Sequence, residues 1–371
     1  MSHISAPEDR AFMLRALELA SRAEGLTSPN PLVGAVVGRD GTVVAEGYHR
    51  EAGAPHAEVE ALEAAGARAR GATLYVTLEP CVHHGRTGPC VPVVLAAGIS
   101  RVVVAVADPN PKVNGRGIEA LRGAGAEVNV GLLETEAREL NRPFFTFVLE
   151  RRPFVTLKGA LSLDGKIAAW DMTSRWITGE PARQAAHRLR RRADAIAVGI
   201  GTVLADDPLL TVRLPEPWPR EPFRVVVDSR ARTPLTARVL TAGRPDRALI
   251  AVTESASQDR VRSLEARGVT VLRLPARDGR VDLAALLGAL AEREVVSLLL
   301  EGGGELNAAF LEAGLVDRVS LFVAPLLLGG AGARGLVGGR GRSLKEAFRL
   351  RRMTVERLGE DLLIEGDLEP Q

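Results

Sequence analysis

The stretch that decides the fold reads Pro55-His56-Ala57-Glu58 and then, after a helical and an extended segment, Glu79-Pro80-Cys81-Val82-His83-His84-Gly85-Arg86-Thr87-Gly88-Pro89-Cys90. It sets out one imidazole and two thiols, His56, Cys81 and Cys90, as candidate metal ligands. Zinc in a catalytic site takes three protein ligands and keeps a fourth position for water, whose pKa it lowers towards neutrality. Glu58, two residues after the His, is placed to take that water's proton and return it to a departing amine. H-x-E followed by P-C…C therefore points to hydrolytic deamination. The alternatives are a disulfide or two small buried residues. Cys81 and Cys90 are the only cysteines in the chain, and both fall in this one loop, which favours metal. Residues 82 to 89 separate them, where nucleobase deaminases usually show C-x-x-C. The longer loop, with His83, His84 and Arg86, is expected to reach over the site and meet a substrate phosphate.

Outward from this stretch, residues 57 to 69 are Ala/Glu-rich and predict a helix, with His56 and Glu58 at its first turn. Outward-pointing amides there suit a bound anion. Residues 73 to 77 predict a short buried strand. Residues 91 to 97 predict a helix, so Cys90 lies near a helix start, where the dipole favours thiolate. Upstream, residues 8 to 24 have the spacing of an amphipathic helix. Pro29-Asn30-Pro31 is a rigid turn. Strands over 33 to 37 and 42 to 47 are joined by the turn Arg39-Asp40-Gly41. Downstream come a strand (101 to 106), a turn-rich loop (108 to 117), a helix (118 to 124) and a strand near Val128. The alternation predicts a three-layer α/β unit.

At 371 residues, with 46% apolar and 25% charged residues, the chain fits two soluble domains. The charged, Pro-punctuated run Glu150-Arg151-Arg152-Pro153 places the boundary between 1–149 and 150–371. A formal net charge of +2 argues against a nucleic-acid partner held by a basic face. The first ten residues carry Glu8, Asp9 and Arg10 without an apolar core, which is not the pattern of a signal peptide. No apolar run reaches membrane-spanning length. Two cysteines spaced for metal suggest a reducing cytoplasm.

Strands are expected in the second half at 154–158, 194–198, 223–227, 247–252, 269–273, 295–300 and 318–323. No G-x-G-x-x-G follows the first of them. Instead Val295 to Asn307 reads as an apolar strand, a glycine turn and a helix, which lets a phosphate approach backbone amides. Lysine occurs only at Lys112, Lys158, Lys166 and Lys345 in an Arg-rich chain. Two of the four bracket the run K-G-A-L-S-L-D-G-K, and a compact ammonium is not interchangeable with a guanidinium.

The run T-L-E-P-C-V-H-H-G-R-T-G-P-C, from Thr77 to Cys90, closely resembles the N-terminal half of a family of bifunctional riboflavin-biosynthesis enzymes. These join a diaminohydroxyphosphoribosylaminopyrimidine deaminase to a 5-amino-6-(5-phosphoribosylamino)uracil reductase. The Lys158 to Lys166 run, Ser174-Arg175-Trp176-Ile177-Thr178 and the stretch from Asp194 to Arg213 resemble the reductase half. Val82 stands where the family pattern has a polar residue. The resemblance implies a cytidine-deaminase-like α/β/α three-layer domain followed by a dihydrofolate-reductase-like α/β domain. It implies zinc on His56, Cys81 and Cys90, Glu58 as proton shuttle, and Asn30, His49 and His83 near the pyrimidine ribosyl phosphate. NADPH would lie on Ala160, Trp176, Thr202, Asp206, Ser229 and the segment Gly303, Gly304, Glu305, Leu306, Asn307, Ala308 and Ala309. Ser174, Arg190, Leu210, Arg213 and Glu301 would hold the second substrate, with Lys158 polarising or protonating the sugar oxygen. Arg190 and Arg213 suit a 5′-phosphate, because a guanidinium bonds phosphate oxygens in pairs. Arg230 and Arg232 are candidates for the 2′-phosphate of NADPH. A homo-oligomer, dimer or tetramer, is also implied. The rivals are a deaminase with a silent second half, a cytidine or tRNA-adenosine deaminase, and a zinc-dependent scaffold using His83 or His84 as fourth ligand.

Overall fold

The computed structural model describes residues 7–85 and 87–369. It divides into two compact units, Met1–Arg151 and Arg152–Gln371.

In the first unit, α1 (Pro7–Ser21) precedes β1 (Gly34–Arg39) and β2 (Thr42–Tyr48). Then follow α2 (Ala57–Ala65), β3 (Thr73–Val76), α3 (Cys90–Ala96), β4 (Arg101–Val104), α4 (Arg116–Gly123), β5 (Glu127–Val130), α5 (Glu134–Leu140) and α6 (Arg142–Glu150). The sheet order is β2-β1-β3-β4-β5. β1 is antiparallel to β2 and β3, and β3, β4 and β5 run parallel. Strand side chains alternate between faces, and the core divides accordingly. Ala35, Val37, Leu74, Val76, Val102 and Val104 pack under α2, α3 and α4. Val36, Tyr75 and Val103 pack against α1, α5 and α6. The unit is therefore a three-layer α/β/α stack. Two details differ from the sequence reading. The helix expected to reach residue 69 ends at Ala65, where Gly66 takes φ 55°, and a 3-10 turn finishes the segment. The terminal segment also contains two helices, α5 and α6, that hydrophobic spacing did not reveal.

The second unit runs β6 (Phe154–Ser162), β7 (Lys166–Ala168), α7 (Glu180–Arg192), β8 (Ala195–Gly199), α8 (Ile200–Asp206), β9 (Phe223–Val227), α9 (Arg238–Thr241) and β10 (Ala248–Val252). It continues with α10 (Gln258–Glu265), β11 (Thr270–Arg273), the hairpin β12 (Ala276–Arg277) and β13 (Arg280–Val281), and α11 (Leu283–Ala291). β14 (Ser297–Leu300), α12 (Gly304–Glu312), β15 (Arg318–Ala324), β16 (Arg334–Gly335), β17 (Leu350–Leu358) and β18 (Asp361–Leu368) complete it. Nine strands form one sheet in the order β11-β10-β9-β8-β14-β6-β15-β18-β17. The first seven in that order are parallel and the last two antiparallel. Helices cover both faces, as parallel strands require: α11 and α12 on one side, α8, α9 and α10 on the other. All seven strands expected from apolar runs are present. The two antiparallel strands were not expected. β17 is a sheet edge with mostly exposed residues, so it has no apolar run to announce it.

Candidate active sites

In the first unit a close crossing sets the geometry. A Cβ on Gly47 would lie 2.5 Å from the Ala61 amide nitrogen and 2.6 Å from the Ala57 carbonyl oxygen. Glycine there lets the start of α2 press onto β2. His56 caps that helix, Glu58 sits in its first turn, and His49 follows the strand. Cys81 and Cys90 arrive from the loop after β3 and the first residue of α3. His56 Nδ1 lies 3.1 Å from Cys90 Sγ and 3.6 Å from Cys81 Sγ. The three ligand atoms all lie within 4.8 Å of one another. One ring nitrogen and two sulfurs at this spacing fit zinc. Neither His83 nor His84 joins the set, which leaves a fourth position open among the described residues and argues against the scaffold reading. Glu58 is buried beside the set, and that burial pushes its carboxyl above the ordinary carboxylate range.

The cavity at this point is lined by Asn30, His49, His56, Glu58, Cys81 and His83, together with Asp108 and Asn110. His49 Nδ1 bonds the Pro55 carbonyl at 3.0 Å, which fixes the tautomer. Its Nε2 then accepts from Asn30 Nδ2 at 3.0 Å, so the Asn30 carboxamide has one defined orientation. Burial holds the His49 ring neutral by lowering its pKa. His83 Nδ1 is buried with no partner among the described residues, and His84 is exposed. Arg86, expected to reach over the site, lies outside the described residues. Asp108 and Asn110 escaped the sequence reading. Burial raises the Asp108 carboxyl to about 6. The available signal was position, since they follow β4 at the C-terminal end of a parallel strand, where α/β sheets bind ligands.

Glu79 is the other residue whose role only the structure reveals. Its Oε1 accepts from the Gly117 and Ile118 amides at 2.8 and 3.2 Å. Its Oε2 accepts from Gly115 and Asp108 at 2.9 and 3.1 Å. One buried carboxylate thus folds the loop from β4 to α4 against the cysteine loop. A Cβ on Gly117 would lie 2.0 Å from the Pro80 carbonyl oxygen, so only glycine permits this approach.

In the second unit a cavity is lined by Lys158, Ala160, Ser174, Trp176, Thr202, Asp206, Glu301 and Gly303, with Gly302, Arg175 and Leu336. Lys158 Nζ is 4.0 Å from Glu301 Oε2. Burial lowers the Lys158 pKa, partly offset by the Glu301 charge. Burial also works against the Glu301 charge, but Arg190 and Lys158 outweigh it and hold that carboxyl down to about 2. Ser174 Oγ donates to Asp206 Oδ1 at 3.1 Å. The turn from Glu301 to Gly303 leads into α12, and a Cβ on Gly302 would lie 2.5 Å from Asn307 Oδ1. A turn stripped of side chains before a helix start fits the phosphates of a dinucleotide.

Several of the reductase-half candidates are engaged within the fold or lie away from this cavity. Arg190 does not present a free fork: Nε and Nη2 bond Glu301 at 2.7 and 2.8 Å, and Nη1 bonds the Thr211 carbonyl at 3.0 Å. Leu210 is buried in the core with φ 51°, leaving only its backbone for a ligand. The Asn307 amide is spent on the Gly302 and Leu336 carbonyls, and the Ala308 side chain is buried. Ser229 Oγ accepts from the Val281 amide at 3.1 Å, and Ser229 does not line the cavity. Gly304, Glu305, Leu306, Ala309 and Arg213 also lie outside the lining, with Glu305 and Arg213 exposed. Arg230 and Arg232 are exposed beyond β9.

A His/Cys/Cys donor set with an acid beside it defines a zinc-dependent deaminase class in the first unit, and the second unit adds a reductase-class cavity. Comparison with known proteins agrees for each half. Residues 6–106 match the cytidine and deoxycytidylate deaminase zinc-binding region, and residues 153–364 match the RibD C-terminal domain. The riboflavin biosynthesis protein RibD of Aquifex aeolicus is 46% identical over 356 residues, 96% of this chain and 97% of its own. That of Escherichia coli is 43% identical over 340 residues, 89% and 90% of the two chains. The solved structure of Acinetobacter baumannii RibD superposes with TM-score 0.89 at 38% identity, covering 98% of this chain and 99% of that one. A Thermotoga maritima diaminohydroxyphosphoribosylaminopyrimidine deaminase/5-amino-6-(5-phosphoribosylamino)uracil reductase gives 0.84 at 37%, with the same coverage.

The chain belongs to the RibD family, the bifunctional deaminase and reductase of riboflavin biosynthesis. Its cofactors are zinc for the first unit and NADPH for the second. Among the described residues no helix is long and apolar enough to cross a membrane.

Proposed function

We propose that the first unit hydrolyses the exocyclic amine of 2,5-diamino-6-ribosylamino-4(3H)-pyrimidinone 5′-phosphate. The second unit then reduces the ribosyl chain to ribityl, giving 5-amino-6-ribitylamino-uracil 5′-phosphate. The observation that carries this reading is the open His56, Cys81 and Cys90 set with Glu58 buried beside it in one cavity. Zinc held by these three residues would lower the pKa of a bound water towards neutrality and so supply the hydroxide nucleophile that hydrolytic deamination needs. Glu58 takes the proton at its carboxylate and passes it to the leaving ammonia. Asn30, oriented by His49, offers its carboxamide to the ring edge. His83, whose buried Nδ1 has no partner among the described residues, would meet the ribosyl phosphate side of the substrate.

In the second unit the glycine turn before α12 and the residues Ala160, Trp176, Thr202 and Asp206 would hold NADPH, which supplies the hydride. Lys158 delivers a proton to the ribose ring oxygen as the ring opens, and Glu301 keeps that ammonium in place. Arg190 acts by fixing Glu301, and the phosphate falls to Arg213. The reading further expects a cytoplasmic homo-oligomer, dimer or tetramer, which sedimentation at working concentration checks.

One coupled assay tests the reading. Zinc-loaded protein receives the diaminopyrimidine ribosyl phosphate, and ammonia and NADPH absorbance are followed together. Ammonia should appear without NADPH, and NADPH should be oxidised once added. Glu58→Gln should lose ammonia release while keeping zinc and the ability to reduce added deaminated intermediate. Loss of zinc in that variant would assign Glu58 a different role.

A further inference from the structure

We propose that Thr87 is a positioning residue for the metal, holding the His56 ring through Nε2 so that Nδ1 faces the two sulfurs. The inference rests on His56, Cys81 and Cys90 being the zinc ligands. His56 caps α2 but makes no side-chain capping bond, so the helix does not restrain its ring. The His49 ring meets it edge-on at 5.3 Å between centroids, which blocks one side only. Nε2 lies within hydrogen-bond distance of Thr87 Oγ1, at 2.9 Å. Nδ1 lies beside both sulfurs and must offer its lone pair to ligate. The ring proton is then on Nε2 and is donated to Thr87 Oγ1. Metal-bound histidines are generally held this way through their second nitrogen.

Thr87 is itself pinned. Its carbonyl accepts from the Gly85 amide at 3.1 Å, and the Cys90 and Val91 amides close the loop onto the Cys81 carbonyl at 3.1 and 3.2 Å. This gives a physical reason for the long spacing between the cysteines. Two intervening residues are consumed in turning the chain. Eight leave enough chain to carry a hydroxyl back to the far nitrogen of the third ligand.

The test uses the full chain with Thr87→Val, which keeps the shape and removes the oxygen, and Thr87→Ser, which restores it. Zinc affinity is read by competition with a chromophoric chelator. Thr87→Val should bind zinc about 10- to 100-fold more weakly, and Thr87→Ser within about threefold of the parent. NADPH oxidation on pre-deaminated substrate should stay normal in both and serves as the folding control. In zinc-loaded protein labelled with ¹⁵N-histidine, the His56 Nε2 proton should persist in the parent and Thr87→Ser and exchange rapidly in Thr87→Val. Parental affinity in Thr87→Val, or equal loss in both variants, overturns the proposal. Should Thr87→Val not fold, Thr87→Ala carries the same expectation. X-ray absorption of the parent separates the two levels of the argument. A shell without one nitrogen and two sulfurs overturns the ligand assignment and the proposal with it, whereas the expected shell with unchanged variant affinity overturns Thr87 alone.

Discussion

Replacing Glu79 by Gln changes one charge and almost no volume, yet the structure gives it a large local cost. Each Glu79 oxygen accepts two backbone amides, Gly117 and Ile118 on one, Gly115 and Asp108 on the other. In either orientation, the Gln NH₂ would confront two N–H donors in a buried site. An unsatisfied buried donor costs about 1 to 3 kcal/mol, so two cost about 2 to 6 kcal/mol. At about 1.4 kcal/mol per tenfold, that is roughly one and a half to four powers of ten in local opening. Hydrogen exchange resolved to the peptide spanning 105–120 measures it directly, because exchange reports the free energy of local opening. Amides 115, 117 and 118 should lose protection by that factor. Those of β8 and β14, in the other unit, should not change. Ammonia release should fall with the loop, since Asp108 lines the cavity and Cys81 lies two residues from Glu79. Unchanged protection at 115–118 in the variant would refute the reasoning outright.

Gly117→Ala should act on the same loop by sterics, given the 2.0 Å approach to Pro80, and should cost ammonia release while sparing NADPH oxidation; a variant with parental ammonia release would show that the loop can retreat cheaply. Arg190→Met should destabilise the second unit by at most about 3 to 5 kcal/mol, the cost of breaking a buried ion pair, because it removes both guanidinium bonds to Glu301 and leaves that carboxylate only Lys158 at 4.0 Å, and should abolish NADPH oxidation; a urea midpoint matching the parent would contradict the pairing with Glu301. His187 is pushed down to about 4 by burial and by the Arg190 and Arg213 cations, with Glu301 opposing and Lys158 adding to the effect. Its folded pKa lies below the ordinary 6.5, so as pH falls the unfolded chain takes the proton first. The stability His187 contributes is fully present above about pH 6.5 and lost on the way down to about pH 4. Urea midpoints of the second unit at pH 7 and pH 5 should therefore differ less in His187→Asn than in the parent, and equal differences would refute the assignment.

What was legible beforehand follows from locality. The β-strands of the parallel sheets are runs such as Ala248–Val252, buried at every position, and an apolar run is visible without any partner. His56, Glu58, Cys81 and Cys90 are rare residue types at telling spacings. The edge strand β17 is polar and exposed and owes its conformation to pairing with β18. α5 and α6 are short and packed on a sheet face that no local window contains.

Chemistry and class were thus determined by the sequence itself, because a metal needs particular donor atoms and a buried strand needs apolar ones. Tertiary structure decided which of the remaining polar groups are free to act. Arg190 looked like a phosphate fork and is engaged by a carboxylate 111 residues away. Glu79 looked like a bystander in T-L-E-P-C and holds a loop together. Thr87 is one more letter of the run from Thr77 to Cys90 until the fold brings it to the far nitrogen of His56. Hydrogen-bond satisfaction is a pairwise property of groups distant in the chain, so it exists only once the fold has brought both partners together.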